Sequence, residues 1–209
     1  MGYLGPTYAL PRVLPRVAAD ARGRKVRGHE RVTVPPGFVL WLTGLPASGK
    51  STLAEGLADT LREQGRTVQV LHSDGLRPIL TPEPSYREEE RAWFYRVVAF
   101  IAALLASNGV DVLIAATANR RRYRSRGTQD IERFGEVFVK CSLETCMERD
   151  EKGIYEKALS GEATTVPGLQ APYEPPRDPL VVVDTETTTP REGVHLVVRR
   201  LEEASYLEG

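Results

Sequence analysis

The chain has 209 residues, 28 of them Lys or Arg and 28 Asp or Glu, for a formal net charge of zero at pH 7. At 41% hydrophobic and 27% charged it has ordinary globular composition, which excludes a disordered or fibrous chain and suits one compact domain. The zero balance excludes a protein that holds nucleic acid or anionic lipid through bulk charge. Five of the 28 cations are lysines (Lys25, Lys50, Lys140, Lys152, Lys157), leaving 23 arginines; phosphate chemistry or genomic base composition can each give that bias. Two cysteines, Cys141 and Cys146, are too few for a secreted disulfide framework and read as small apolar side chains. No apolar run reaches the length of a membrane span, and the first residues lack a signal-peptide pattern, so the reading is a cytoplasmic protein without a membrane partner.

Residues 1–35 form a proline-containing, basic stretch. Arg12, Arg16, Arg22, Arg24, Lys25, Arg27 and Arg31 stand against Asp20 and Glu30, giving +5, so the remainder carries −5. It reads as an N-terminal extension that packs on the domain or on a second subunit. From 36 to 205 strand and helix signals alternate. Phe38–Thr43 is a short continuous apolar run, the mark of a fully buried strand. A Gly-rich turn follows, then a helix over Ser51–Gln64 with Leu53, Leu57 and Leu61 at helical spacing. Thr67–Leu71 predicts a second strand, Glu88–Ser107 a long helix and Val110–Ala116 a third strand. Glu136–Lys140 and Leu180–Asp184 predict a fourth and a fifth. Strands separated by helices imply parallel crossovers, hence an α/β doubly wound parallel sheet with helices on both faces; the turn after the first strand, ending Gly49-Lys50-Ser51, makes it P-loop NTPase-type.

Gly44-Leu45-Pro46-Ala47-Ser48-Gly49-Lys50-Ser51-Thr52 matches G-x-x-x-x-G-K-[ST] between the first strand and the first helix. The glycines let successive N–H groups converge on one concavity, and the helix adds its positive end, so the segment suits the phosphates of ATP. Lys50 is the expected charge on the β- and γ-phosphates, and the Ser51 hydroxyl an expected Mg²⁺ ligand. The second strand leads into His72-Ser73-Asp74-Gly75-Leu76-Arg77. Ligands of open α/β sheets bind beyond the carboxyl ends of the strands, so Asp74 lands beside the loop. There it is placed to hold Mg²⁺ through water or to accept the proton of an attacking hydroxyl, with Arg77 available to an acceptor's phosphate or sulfate. His29, His72 and His195 are scattered, without metal-ligand spacing.

At these residues the chain resembles the adenylylsulfate kinases. The resemblance runs from about Gly37 to Thr185 and includes Phe134–Val139, Leu143–Asp150, Lys152-Gly153-Ile154-Tyr155-Glu156-Lys157-Ala158 and Pro172-Tyr173-Glu174-Pro175-Pro176. The last two runs are much more specific than the phosphate loop. The resemblance implies transfer of the ATP γ-phosphoryl group to the 3′-hydroxyl of adenylylsulfate with Mg²⁺, a mobile lid over about 149–176, and a homodimer. It places Arg77, Arg91, Phe94, Arg121, Lys152 and Val166 on the acceptor side. It leaves Arg149 either on the transferring phosphoryl or stacked on the ATP base.

The departures fall on the acceptor side. Where the family has Asp-Gly-Asp-Asn-x-Arg, this chain keeps Asp74 and Arg77 but has His72 for the first Asp and loses the Asn. His72 reads as a hydrogen-bonding replacement. The family's Phe-Ser-Arg-Glu-Asp-Arg-x-x-Asn-Ile-Arg-Arg corresponds to 85–97 with about one extra residue. Arg91 and Arg96 are kept, and the acceptor-binding Asn is Phe94. In Thr117-Ala118-Asn119-Arg120-Arg121 the family's phosphorylated serine is Ala118 and its arginine is Arg121. The lid's stacking aromatic is Val166. In the run from Arg120 to Arg126 only Arg121 is expected to touch ligand, the rest forming a solvated helix face. The acceptor is therefore expected to be a small anion, adenylylsulfate first. A kinase of another nucleotide or small hydroxylated metabolite, and a nucleotide-binding regulator with decayed catalysis, are the competing readings.

Overall fold

The computed structural model describes residues 34–125, 128–129 and 131–208. The expected N-terminal extension lies almost wholly outside the described residues, as do His29 and Arg126. Within them the order is β1 (Val39–Thr43), α1 (Lys50–Glu63), β2 (Val68–His72), α2 (Ser73–Leu80), α3 (Glu88–Ala106), β3 (Asp111–Ala115), α4 (Arg121–Ser125), β4 (Phe134–Lys140), α5 (Leu143–Glu148), α6 (Ile154–Leu159), β5 (Val181–Asp184) and α7 (Pro190–Glu203). The strands form one parallel sheet in the order β2-β3-β1-β4-β5. All five expected strands are present with boundaries shifted by up to two residues.

β1 is buried at all five positions because it has a strand on each side and helices above and below. Its side chains alternate between two cores, as a period of two requires. Leu40 and Leu42 join Leu53, Leu57 and Leu61 of α1 with Val194, Val197 and Leu201 of α7. Val39 and Trp41 join Phe94, Tyr95, Val98 and Ala102 of α3. Helix α7 lies beyond the last element read from the sequence. Its signal was there to find: Thr189 and Glu192 form a reciprocal capping box with Pro190 in the first turn.

A third, smaller core joins the segment after β4 to the phosphate loop. Cys146, Tyr155, Ala158 and Val166 pack together against Leu45, Ala47 and Leu143. Cys146 packs there as an apolar group, its thiol pushed up to about 12 by burial. Gly168 comes so close to Leu45 that a Cβ would lie 2.6 Å from its methyl, at a φ of +88°.

The arginine run corrects one expectation. Arg124 is 1% exposed rather than solvated. It pairs with Glu136 of β4 and donates to the carbonyls of Ala118 at 2.5 Å and Glu174 at 2.8 Å. It thus clamps the loop after β3 to the Pro172–Pro176 run. Replacing Arg124 by Ala leaves Glu136 and two carbonyls without their partner, so denaturant unfolding should show a loss of about 3–5 kcal/mol. A loss under about 1 kcal/mol, the value of an exposed pair, would contradict this role.

Candidate active site

The central strand β1 delivers the chain to the carboxyl edge of the sheet, and the turn there is set by close packing. A Cβ on Gly44 would lie 2.3 Å from the Val139 carbonyl and 2.7 Å from the Ser48 hydroxyl, so only glycine fits. Ala47 and Gly49 take positive φ, 59° and 93°, which turns the loop back on itself; Ser48 N–H donates to the Leu45 carbonyl at 3.2 Å. Helix α1 then starts with no side-chain cap and no acid in its first turn. Its first N–H groups are therefore free for an anion.

Lys50 reaches back across the loop, donating to the Leu45 carbonyl at 2.6 Å and the Ser48 hydroxyl at 3.5 Å. Burial pushes its pKa down to about 8. Beside it opens a cleft of about 940 Å³ lined by Pro46, Ala47, Gly49, Lys50, Ser51 and Thr52 of the loop. Gly44, Leu45 and Ser48, also expected to bind nucleotide, lie behind that lining and shape it.

Opposite the loop stands Asp74 in the first turn of α2, its Oδ2 2.5 Å from Lys152 Nζ. Burial acts to raise the Asp74 pKa, but the Lys152 hydrogen bond and charge, with Lys50 behind, hold it below the usual carboxylate range. His72 Nε2 lies 2.6 Å from Glu55 Oε1 on α1, the hydrogen-bonded arrangement expected of it. Arg149, at the end of α5, donates to the Thr185 hydroxyl at 3.2 Å and the Thr185 carbonyl at 3.1 Å. It lines the cleft with Thr185, Thr188 and Thr189. These threonines were missed in the sequence, although they follow a strand's carboxyl end, where the fold puts its ligands.

The other half of the cleft sorts the expected acceptor residues. Arg77, Arg91, Lys152 and Val166 line it; Phe94 and Arg121 do not. Phe94 is fully buried and forms the seat of Arg77, whose guanidinium carbon lies 4.1 Å from the Phe94 ring centre and 4.7 Å from that of Tyr86. Arg121 donates instead to the Pro175 carbonyl at 2.6 Å, and its N–H to Glu174 at 2.9 Å, so it braces the Pro-Tyr-Glu run. Arg91 is committed as well, to the Tyr86 carbonyl at 2.8 Å and to Thr165 at 2.9 and 3.1 Å. Val166 is 6% exposed and locked in the third core.

Tyr86 is the main residue the sequence reading missed. Its ring is the exposed aromatic of this half, and its backbone has φ 53°, a conformation costing on the order of 1–3 kcal/mol for such a residue. Its aromatic type was legible, since counting back from the kept Arg91 puts the leading Phe of the family run on Tyr86. Its strained backbone shows only in the hydrogen bonds that close around it.

The adenylylsulphate kinase family model matches residues 36–184. A probable adenylyl-sulfate kinase of Pyrococcus abyssi is 40% identical over 171 residues, 82% of this chain and 98% of that protein. The adenylyl-sulfate kinase of Rippkaea orientalis is 40% identical over 82% of this chain and 94% of its own length. Among solved structures, the Mycobacterium tuberculosis APS kinase CysC in complex with AMPPNP and APS superposes with a TM-score of 0.76 at 34% identity. It covers 80% of this chain and 99% of that one.

Free Lys50, its pKa lowered to about 8, is half charged at that pH and largely neutral one unit above it, well before an ordinary lysine at 10.5 would titrate. Its attraction for polyphosphate therefore weakens as pH rises through about 8, and a bound polyanion pulls the proton back. Calorimetry of nucleotide binding between pH 8 and 9 should show proton uptake, read from the dependence of the heat on buffer ionisation enthalpy. Binding without proton exchange would contradict the perturbed ammonium.

Proposed function

The chain belongs to the adenylylsulphate kinase family, and we propose that it transfers the γ-phosphoryl group of ATP to the 3′-hydroxyl of adenylylsulfate in the cytoplasm. The observation that carries this reading is one cleft with two chemically distinct halves: a phosphate loop with Lys50 on one side, and Arg77 with the Tyr86 ring on the other.

In this reading the α1 amides and Lys50 hold the β- and γ-phosphates, and Arg149 with the 185–189 loop holds the rest of the nucleotide. The acceptor's anion pairs with Arg77 and its base stacks on Tyr86. Asp74, kept ionised by Lys152, orients the acceptor hydroxyl and takes its proton as the oxygen–phosphorus bond forms. Lys152 then has a second partner within reach, the transferring phosphoryl. The segment from Arg149 to Pro176 shields the cleft from water, which prevents idle hydrolysis of ATP.

The oxygen donors present fit Mg²⁺. Ser51 offers a hydroxyl and Asp74 a carboxylate to the same cleft. No cluster of three or more His, Cys, Asp or Glu exists among the described residues. That suits an ion held mainly by nucleotide phosphates and water. When bound, it neutralises charge on the β- and γ-phosphates.

A homodimer follows from the family resemblance and is proposed on that ground. Among structural relatives, one from Thiobacillus denitrificans is described as a hexameric APS kinase, which this chain covers over 30% of that chain's length. No helix among the described residues is long and apolar enough to cross a membrane.

Product analysis with ATP, Mg²⁺ and adenylylsulfate should yield ADP and a 3′-phosphorylated acceptor. ADP without a phosphorylated acceptor would refute the reading. Asp74→Asn should lower kcat by about 10²- to 10⁴-fold, the range for one general base. If the Asn variant retains full turnover, the assignment of Asp74 as base is wrong.

A further inference from the structure

The strained residue of the cleft is held by a carboxylate outside its lining. Glu90 stands in the first turn of α3, and its side chain is 18% exposed. Its Oε2 accepts from Ser85 N–H at 2.5 Å and from the Ser85 hydroxyl at 2.6 Å. Its Oε1 accepts from Tyr86 N–H at 3.2 Å and from Arg77 Nη1 at 3.4 Å. The next residue, Arg91, closes the other side by donating to the Tyr86 carbonyl. A bulky residue keeps a positive φ only when its surroundings over-determine it, and here four donors converge on Glu90 to do so.

An ionised carboxylate is an acceptor at both oxygens, so it alone takes all four of these bonds. Burial acts to raise the pKa of Glu90, but the bonds from Ser85 and Tyr86 and the charge of Arg77 outweigh it and keep the group ionised. The Arg77 guanidinium lies over the Tyr86 ring that Glu90 positions, with Phe94 beneath. Ring and cation therefore form one unit whose geometry a single acid sets. None of the four contacts reaches the phosphate loop.

We propose that Glu90 is a positioning residue of the acceptor site: it sets the Tyr86 ring and the Arg77 guanidinium as one platform, on which the acceptor's base stacks and its anion pairs. This rests on reading the cleft as an adenylylsulfate site. Loss of Glu90 weakens the acceptor and leaves ATP alone. In Glu90→Gln, one oxygen becomes an NH₂ group that meets the donors of Ser85 or of Tyr86 and Arg77.

The test is steady-state kinetics of Tyr86→Leu, Glu90→Gln and the double variant, with thermal unfolding as the folding control. Tyr86→Leu should raise the adenylylsulfate KM by about 5- to 150-fold, the span of one lost base stack. Glu90→Gln should raise it by about fivefold or more, with the ATP KM within about twofold of the parent. The double variant should exceed either single effect by less than their product, because Glu90 acts partly through Tyr86 and partly through Arg77. Multiplicative effects, an unchanged acceptor KM, or an ATP KM that moves as far as the acceptor KM would each overturn the proposal. If Glu90→Gln fails to fold, Glu90→Asp keeps the charge, shifts the carboxylate by one methylene and is judged by the same cycle. A parent enzyme that phosphorylates no adenylylsulfate overturns the functional reading and this proposal together. An active parent whose acceptor KM ignores Glu90 overturns this proposal alone.

Discussion

The burial of β1 is the constraint on which the rest depends. Both of its edges are paired, to β3 and β4, and both of its faces are covered by helices. The chain can leave this strand only at its carboxyl end, and there the close approach of Gly44 to Val139 forces a turn. The turn ends in a helix whose first N–H groups have no protein partner. A site for phosphate thus follows from packing: the same burial that makes the strand immovable leaves unsatisfied donors at its exit.

Around that fixed point, the cations are divided between binding and bracing. Lys50 and Lys152 face the cleft, and Lys152 meets Asp74 across it. Arg124 and Arg121 face away and hold the Pro172–Pro176 run to the loop after β3. Arg91 spans the two tasks, lining the cleft while joining the Tyr86 backbone to Thr165. Buried guanidinium groups suit such bracing because one planar fork serves several carbonyls at once. Among the described residues, Arg91, Arg121 and Arg124 thus fasten one segment to another.

The positions that the resemblance marks as departures have definite partners in the structure. His72 sits against Glu55. Phe94 is the floor under Arg77. Val166 joins the small core around Cys146 and Tyr155, and Tyr86 is an exposed ring. The Tyr86 half of the cleft thus combines the stacked Arg77 with Arg91 and Lys152 along its lining.

The sequence by itself determined the sheet, the phosphate loop and the place of Asp74. Each is a local pattern: a five-residue apolar run, glycines at set spacing before a helix, an acid just past a strand end. Helix α7 was equally local, with its capping box in plain view at Thr189. Only the tertiary structure decided which arginine of the run after β3 turns inward. Helix α4 has five residues, too short for a periodicity to show its face, and Arg124 is chosen by Glu136, a partner on another strand. It likewise decided the backbone of Tyr86, since a strained φ is held by bonds from Glu90 and Arg91 and leaves no trace in residue type. Local patterns carry their own reason in adjacent residues. Burial of a charge and strain at a tyrosine are consequences of what the rest of the chain brings alongside.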